Sequence, residues 1–275
     1  MSDAPPVPPL KILPTRRALL ALPLLLAPLP ALSAPVSLPA GLTPGPTVRV
    51  RGVVDGDTVE LDDGTEVRLV GTQAPKLALG RRNFPDWPLS PESRDALARL
   101  ARGRTVTLHT GGTPRDRHGR ALAHLVRDDG LWLQGEMLRS GWTRLYTFPD
   151  NRAAAAEMRA AEAQARKKRA NIWAHPFYAV RTPDRLAEDM DTFQLVEGRV
   201  ARSARVRDRI YVNFGRDYRD DFTVEIERRH WRDFEAAGLD PLSLGGRRVE
   251  VRGWIGERNG PVIQATHPEQ MAVLD

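Results

Sequence analysis

Around Asp62-Asp63-Gly64 the chain alternates apolar and polar positions with the two-residue period of a half-buried strand. Val59 and Leu61 lie before the turn, and Val67 and Leu69 follow it. The pattern predicts a β-hairpin, entered through the Asp55-Gly56-Asp57 turn and left through Gly71 and Gln73-Ala74-Pro75. The period then lengthens. Ser90 reads as a helix cap with Pro91 at the first helical position, Leu97 and Leu100 face the core, and Gly103 ends the helix. Strands are predicted at 105–109 and 121–126. A short helix follows at 133–140 with Gly141 as its stop, then a strand at 142–146 and an alanine-rich helix at 152–169.

Beyond residue 191 the two-residue period returns at 193–200, 209–214, 221–226, 247–254 and 261–266, with a helix at 232–237 ahead of Gly238. Five strands with a helix before the fourth suggest an OB-like barrel. Residues 34–46 are rich in proline and glycine and read as a linker, as does the polar stretch 180–191. The expected organisation is therefore a first domain at 47–179 and a second at 192–275.

The first 33 residues predict an export signal. Thr15-Arg16-Arg17 precedes an apolar stretch broken by Pro23, Pro28 and Pro30, and Ala31-Leu32-Ser33 supplies small residues at cleavage spacing. That stretch is shorter than the roughly 20 residues a spanning helix needs. The expected location is periplasmic or secreted. The chain has no cysteine, which argues against a disulfide framework and a thiolate zinc site, and its 6 histidines lack metal-type spacing.

Charge is unevenly divided. Residues 45–189 hold 24 Lys plus Arg against 19 Asp plus Glu, whereas residues 190–275 hold 14 against 15. A polyanionic partner is thus expected at the first domain. Arg166-Lys167-Lys168-Arg169 contributes much of the excess, and it reads equally as a solvated helix end that complements the helix dipole.

Candidate chemistry gathers at the hairpin. Asp55 and Asp57 offer hard oxygen ligands of the kind that suit Ca²⁺ or Mg²⁺, and Arg68 on the neighbouring strand can fork onto a phosphate. Alone, these are also ordinary turn and ion-pair residues. Two later segments change the picture: Asp116-Arg117-His118-Gly119-Arg120 opening an apolar run, and EAQARKKRANIW at 162–173. Together, in this order, the three segments resemble the staphylococcal-nuclease-like (thermonuclease) family over residues 48–173.

The resemblance implies a mainly β fold with α (α+β): an OB-type five-stranded barrel with three helices, here followed by the second, smaller OB-like β-barrel. It implies that Asp57 corresponds to the first calcium-binding aspartate, Arg68 to the phosphate-binding arginine, and Arg120 to the arginine supporting the transition state. Tyr146 and Phe148 resemble the aromatic pair flanking the terminal nucleotide, and His118 stands where the family commonly has Tyr. The chain departs from the family at the next turn, where a second calcium-binding Asp and a general-base Glu are replaced by Gln73 and Lys76. Gln73 keeps a neutral oxygen, so a metal pair of Asp57 and Gln73 is expected to bind Ca²⁺ weakly or not at all. An ammonium cannot take a proton from water, and Lys76 is expected to bind phosphate instead.

Two functions remain open at this level. One is an exported, metal-dependent nuclease acting on single-stranded DNA or RNA through Asp57, Arg68 and Arg120. The other is a catalytically inactive protein of the cell envelope that binds nucleic acid or phosphate. In the second domain, Tyr211, Phe214, Tyr218 and Trp254 are candidates for a stacking platform, or for barrel core.

Overall fold

The computed structural model describes residues 38, 39, 41–217 and 219–275. The expected export signal and Tyr218 lie outside the described residues. Among the described residues no helix is long and apolar enough to cross a membrane.

The first barrel is built from β1 (Thr43–Asp55), β2 (Thr58–Leu61), β3 (Glu66–Leu69), β5 (Thr105–Thr110) and β6 (Ala121–Arg127), with the short β4 (Thr72–Gln73) lying outside it after β3. It closes in the order β1-β2-β3-β6-β5. Closure depends on the length of β1, whose early residues pair with β5 and whose later residues pair with β2. The β3–β6 pair is parallel, with Arg68 opposite Leu122. Strand β1 begins at Thr43, so the last residues of the expected linker are already hydrogen-bonded to β5.

Three helices cover this barrel: α1 (Ser90–Ala101), α2 (Leu133–Arg139) and α3 (Ala155–Lys168), with the short β7 (Arg144–Leu145) pairing with β4. In α1 the buried positions Ser90, Ser93, Leu97 and Ala101 recur at three- and four-residue spacing and face a core of Val50, Val59, Leu69, Leu125 and Met137. Ser90 is not the cap. Leu89 takes that position with φ 64°, and the Ser90 hydroxyl is buried inside the first turn without a partner. The expected strand at 142–146 is reduced to the two residues of β7.

The second part contains β8 (Phe193–Arg199), β9 (Arg202–Val206), β10 (Arg209–Asn213), β11 (Thr223–Glu227), α4 (Trp231–Ala236), β12 (Arg248–Trp254), β13 (Gly256–Glu257), β14 (Pro261–Gln264) and β15 (Met271–Val273). Among the described residues these strands form two sheets, β13-β14-β11-β10-β9 and β15-β12-β8, around one core of Val196, Val212, Val224, Phe234, Val251 and Ile263. The pairing pattern repeats that of the first barrel in part, but no β12–β14 pair among the described residues corresponds to the β5–β6 pair, so the expected second barrel is two sheets and is not closed. The successive strands β8 and β9 divide the work of β1, and β11 lies parallel to β14 as β3 does to β6. The five expected strands are present. The additions are β9, β13 and β15.

Residues 180–191 do not behave as a free linker. Leu186 is buried in the second core, and Arg181 donates to both oxygens of Asp189 and to the carbonyls of Pro176, Phe177 and Ala179. Nor is Arg166 solvated. It reaches Glu250 at 2.5 Å and Glu197 at 3.1 Å, while Lys167, Lys168 and Arg169 are exposed. At the centre of this junction Arg252 is buried with Glu162 of α3 at 2.9 Å and Glu250 at 2.6 Å, and donates to the Leu145 carbonyl. A shared cluster of Trp87, Trp173, Tyr178, Phe193 and Leu195 continues the contact.

Candidate functional site

The Asp55-Gly56-Asp57 turn fits beneath α1 because Gly56 has no side chain. A Cβ there would stand 2.1 Å from Ser93 Oγ and 2.7 Å from Ala74 Cβ. Asp55 Oδ1 accepts the Asp57 backbone N–H at 3.0 Å, and this tight turn drives Asp57 fully inside.

The Asp57 carboxylate is surrounded by donors. Oδ1 accepts from Arg68 Nη1 at 2.6 Å and from Thr58 Oγ1 at 3.2 Å. Oδ2 accepts from the Ala74 backbone N–H at 2.8 Å and from Lys76 Nζ at 3.1 Å. Arg68 is anchored a second time through Nη2 to the Thr72 carbonyl at 3.0 Å. Burial opposes ionisation of Asp57, but Arg68 and Lys76 outweigh it and hold the carboxyl well below the usual carboxylate range. Asp55 behaves oppositely: burial and the adjacent Asp57 charge push it up to about 6. Burial lowers the Lys76 ammonium, against the pull of Asp57.

Gln73 points elsewhere. Its Oε1 accepts from Arg144 Nη2 at 3.2 Å across the β4–β7 pair. Arg144 is buried among aromatic rings, its guanidinium carbon 4.8 Å from the Phe193 centroid and 5.2 Å from that of Tyr178. Sequence reasoning missed Arg144, since nothing in the run Thr143-Arg144-Leu145 marks it. The expected metal pair of Asp57 and Gln73 therefore does not assemble. Asp57 already receives four donors, two of them cations, and the Gln73 oxygen is spent on a guanidinium. The residues present do not fit Ca²⁺, which needs several unshared oxygens. Among the described residues no group of three or more His, Asp or Glu is arranged to share an ion. Glu66, another carboxylate of this hairpin, is exposed at the start of β3.

Arg120 immediately precedes β6. Leu122 lies opposite Arg68 in the parallel register, so Arg120, two residues earlier, enters β6 beside the strand that carries Arg68. It is held by its own loop. Asp116 Oδ2 accepts from Arg120 Nε at 2.8 Å, and Asp116 Oδ1 accepts the backbone N–H groups of His118 and Arg120. His118 is exposed and its Nε2 accepts from Arg117 Nε at 3.1 Å. Arg115, Arg117 and Arg120 thus stand against Asp116 in one loop.

Tyr146 and Phe148 meet edge to face at 4.7 Å, with Phe148 exposed. Burial raises the Tyr146 phenol, opposed by Trp254 Nε1, which donates to it at 3.1 Å, and by Arg68 and Arg117. The second-domain aromatics do not form one platform. Phe214 packs on Phe222 at 5.0 Å, whereas Tyr211 and Trp254 line separate hollows that share Arg258 and Val262.

Comparison with known proteins identifies the family of the first barrel. Residues 66–175 match the family described as staphylococcal nuclease homologue. The chain is 30% identical over 137 residues to a thermonuclease of Staphylococcus intermedius, spanning 47% of this chain and 77% of that protein. A thermonuclease of Staphylococcus hyicus is likewise 30% identical over 137 residues, covering 47% and 76%. An uncharacterized endonuclease of Escherichia coli is 34% identical over 101 residues, covering 36% and 60%.

Proposed function

Because this chain belongs to the staphylococcal nuclease homologue family, we propose that its first barrel binds single-stranded nucleic acid without calcium-driven hydrolysis, Lys76 supplying the fixed positive charge at Asp57. Kinship with nucleases carries the nucleic-acid ligand. The carrying observation for the rest is the Lys76–Asp57 contact at 3.1 Å, on a carboxylate that Arg68 already holds. A divalent cation at this place would have to displace an ammonium from a buried anion.

In this scheme the phosphate backbone is drawn to the 115–120 loop, where three arginines face one aspartate, and to the partly exposed edges of Arg68 and Lys76. Bases then stack on Tyr146 and Phe148. No carboxylate at the turn after β4 is available to take a proton from water, since Gln73 and Lys76 stand there. The apolar stretch after Arg16-Arg17 supports export, which puts this binding in the cell envelope or outside it.

The test is polarisation of a labelled single-stranded oligonucleotide with the mature protein, with Ca²⁺ and with chelator, run beside a cleavage assay. Binding that is equal in both conditions, weakens with salt and leaves the strand intact is expected. Arg120→Gln should reduce the logarithmic salt slope by about 0.7, the increment for one phosphate contact on a single strand. Calcium-dependent cleavage by the parent protein would refute the proposal.

A further inference from the structure

Phe148 is 39% exposed and Trp254 42% exposed, and they are the exposed members among the described tryptophan and phenylalanine side chains. Both line the same cleft of ≈ 640 Å³ between the first barrel and the second part of the chain. Tyr146 joins them. Its ring is 4.7 Å from that of Phe148, and its hydroxyl accepts from Trp254 Nε1 at 3.1 Å. Three aromatic rings from segments more than a hundred residues apart therefore make one wall.

That wall is fixed in advance. Trp254 ends β12 opposite Phe193, two residues after the buried Arg252 that bonds to Glu162 of α3. At the same cleft Thr147 Oγ1 and His267 Nε2 meet at 2.7 Å. Exposed aromatic surface costs free energy in water, and a rigid set of rings in a cleft suits flat apolar ligands. The cleft shares Tyr146 and Phe148 with the candidate site, and the charges of Arg68 and Arg117 act on the Tyr146 phenol.

We infer that the cleft is a second base-stacking segment, in which Trp254 receives bases of a single strand whose phosphates are held by the first barrel. The occupant is the same strand rather than a new partner, and the inference rests on the first barrel binding single strands. Ionised groups at the cleft are mixed, Arg258 standing against Asp191 and Glu257, with Arg258 itself paired to Glu225. Binding here is therefore by stacking and adds little phosphate contact. This separates Trp254 from the arginines in its measurable behaviour.

The experiment compares oligothymidylates of about 3 and about 12 nucleotides on the parent protein, Trp254→Ala and Trp254→Phe, across salt concentration. Stacking of one base changes affinity by roughly 5- to 150-fold. Trp254→Ala should weaken the longer strand by that factor, leave the shorter strand within about twofold and keep the salt slope unchanged; Trp254→Phe should retain most of the affinity. A photoreactive thymidine in the longer strand should crosslink to the peptide containing Trp254. Unchanged binding of the longer strand by Trp254→Ala, equal loss for both lengths, or crosslinks confined to the first barrel would overturn the inference while leaving the first-barrel proposal standing. So would a concentration-dependent dimer that Trp254→Ala dissociates, since a second copy would then be the occupant. Failure of the parent protein to bind either length would remove both proposals together.

Discussion

Lys76 Nζ lies 3.1 Å from Asp57 Oδ2, while Arg68 Nη1 lies 2.6 Å from Asp57 Oδ1, so a single buried carboxylate is neutralised by two cations of its own chain. The arrangement carries its own positive charge where a metal nuclease needs a bound ion.

Calcium binding is therefore expected to appear only when charge is restored at the turn after β4. Lys76→Glu combined with Gln73→Asp removes the ammonium from Asp57 and puts a carboxylate at each of the two positions where the family resemblance implies one. Affinity for Ca²⁺ in the range of about 10⁻⁴–10⁻³ M is expected by calorimetry, with none for the parent protein. Equal affinity in parent and variant would mean that the ammonium leaves Asp57 readily.

Lys76→Met alone leaves Arg68 and the Ala74 N–H on Asp57. Loss of one charge-assisted hydrogen bond at a partly buried site should cost about 1.5–3 kcal/mol in urea denaturation. No measurable cost would show that water replaces the ammonium without penalty.

Gly56→Ala tests how the turn is seated. The added methyl meets Ser93 Oγ and Ala74 Cβ well inside contact distance. Overpacking of this kind costs about 1–3 kcal/mol. Since Ala74 N–H is itself a donor to Asp57, the shift should also loosen nucleic-acid binding, seen as a higher Kd in the polarisation assay. An unchanged denaturation midpoint would place the turn farther from α1 than it stands here.

The junction between the two parts is expected to fail when Arg252 is removed. Arg252→Met leaves Glu162 and Glu250 buried without their shared cation, a loss of about 3–5 kcal/mol. Calorimetry should show unfolding of the variant shifted down from, or split relative to, that of the parent protein. A transition at the parent temperature would count against the network as the fastening element.

The same junction sets a pH dependence. Burial, with Arg152 and His230 adding to it and Asp150 opposing, lowers His267 from 6.5 to about 3. Its bonded neighbours are the Thr147 and Thr266 hydroxyls. A depressed folded-state value contributes stability that is present above the unfolded pKa and lost as pH falls, here from about 6.5 towards 3. Burial pulls Glu250 up, but Arg252 and Arg166 outweigh it and bring it from 4.5 down to about 2, so its contribution fades between those values. Thermal unfolding should be insensitive to these two groups above pH 6.5, decline below it, and steepen below 4.5. His267→Asn should flatten the first decline only. A decline that persists unchanged in His267→Asn would assign it to other groups.

Much of the fold was legible because its signals are local. The alternation around Asp62-Asp63-Gly64 and the positive-φ stops at Gly103 and Gly141 act within a few residues, and the structure places hairpin and helices at those positions. The short strands β9, β13 and β15 escaped because two to five residues carry too little pattern, and pairing with distant chain defines them. Ser90 misled for a related reason: its residue type favours a cap, but packing of α1 on the barrel draws its hydroxyl inside.

The identities at the candidate site were also fixed by sequence alone: Asp57, Arg68 and Arg120 are present, and Gln73 and Lys76 replace two carboxylates. Tertiary structure decided where those side chains turn. Gln73 serves Arg144 rather than Asp57, Lys76 sits on Asp57, and Trp254 meets Tyr146 across 108 positions. Type and spacing along a chain establish what a residue can offer. Which partner it takes is settled by burial, because a charge or hydrogen-bonding group removed from water must be satisfied by whatever the fold brings within reach.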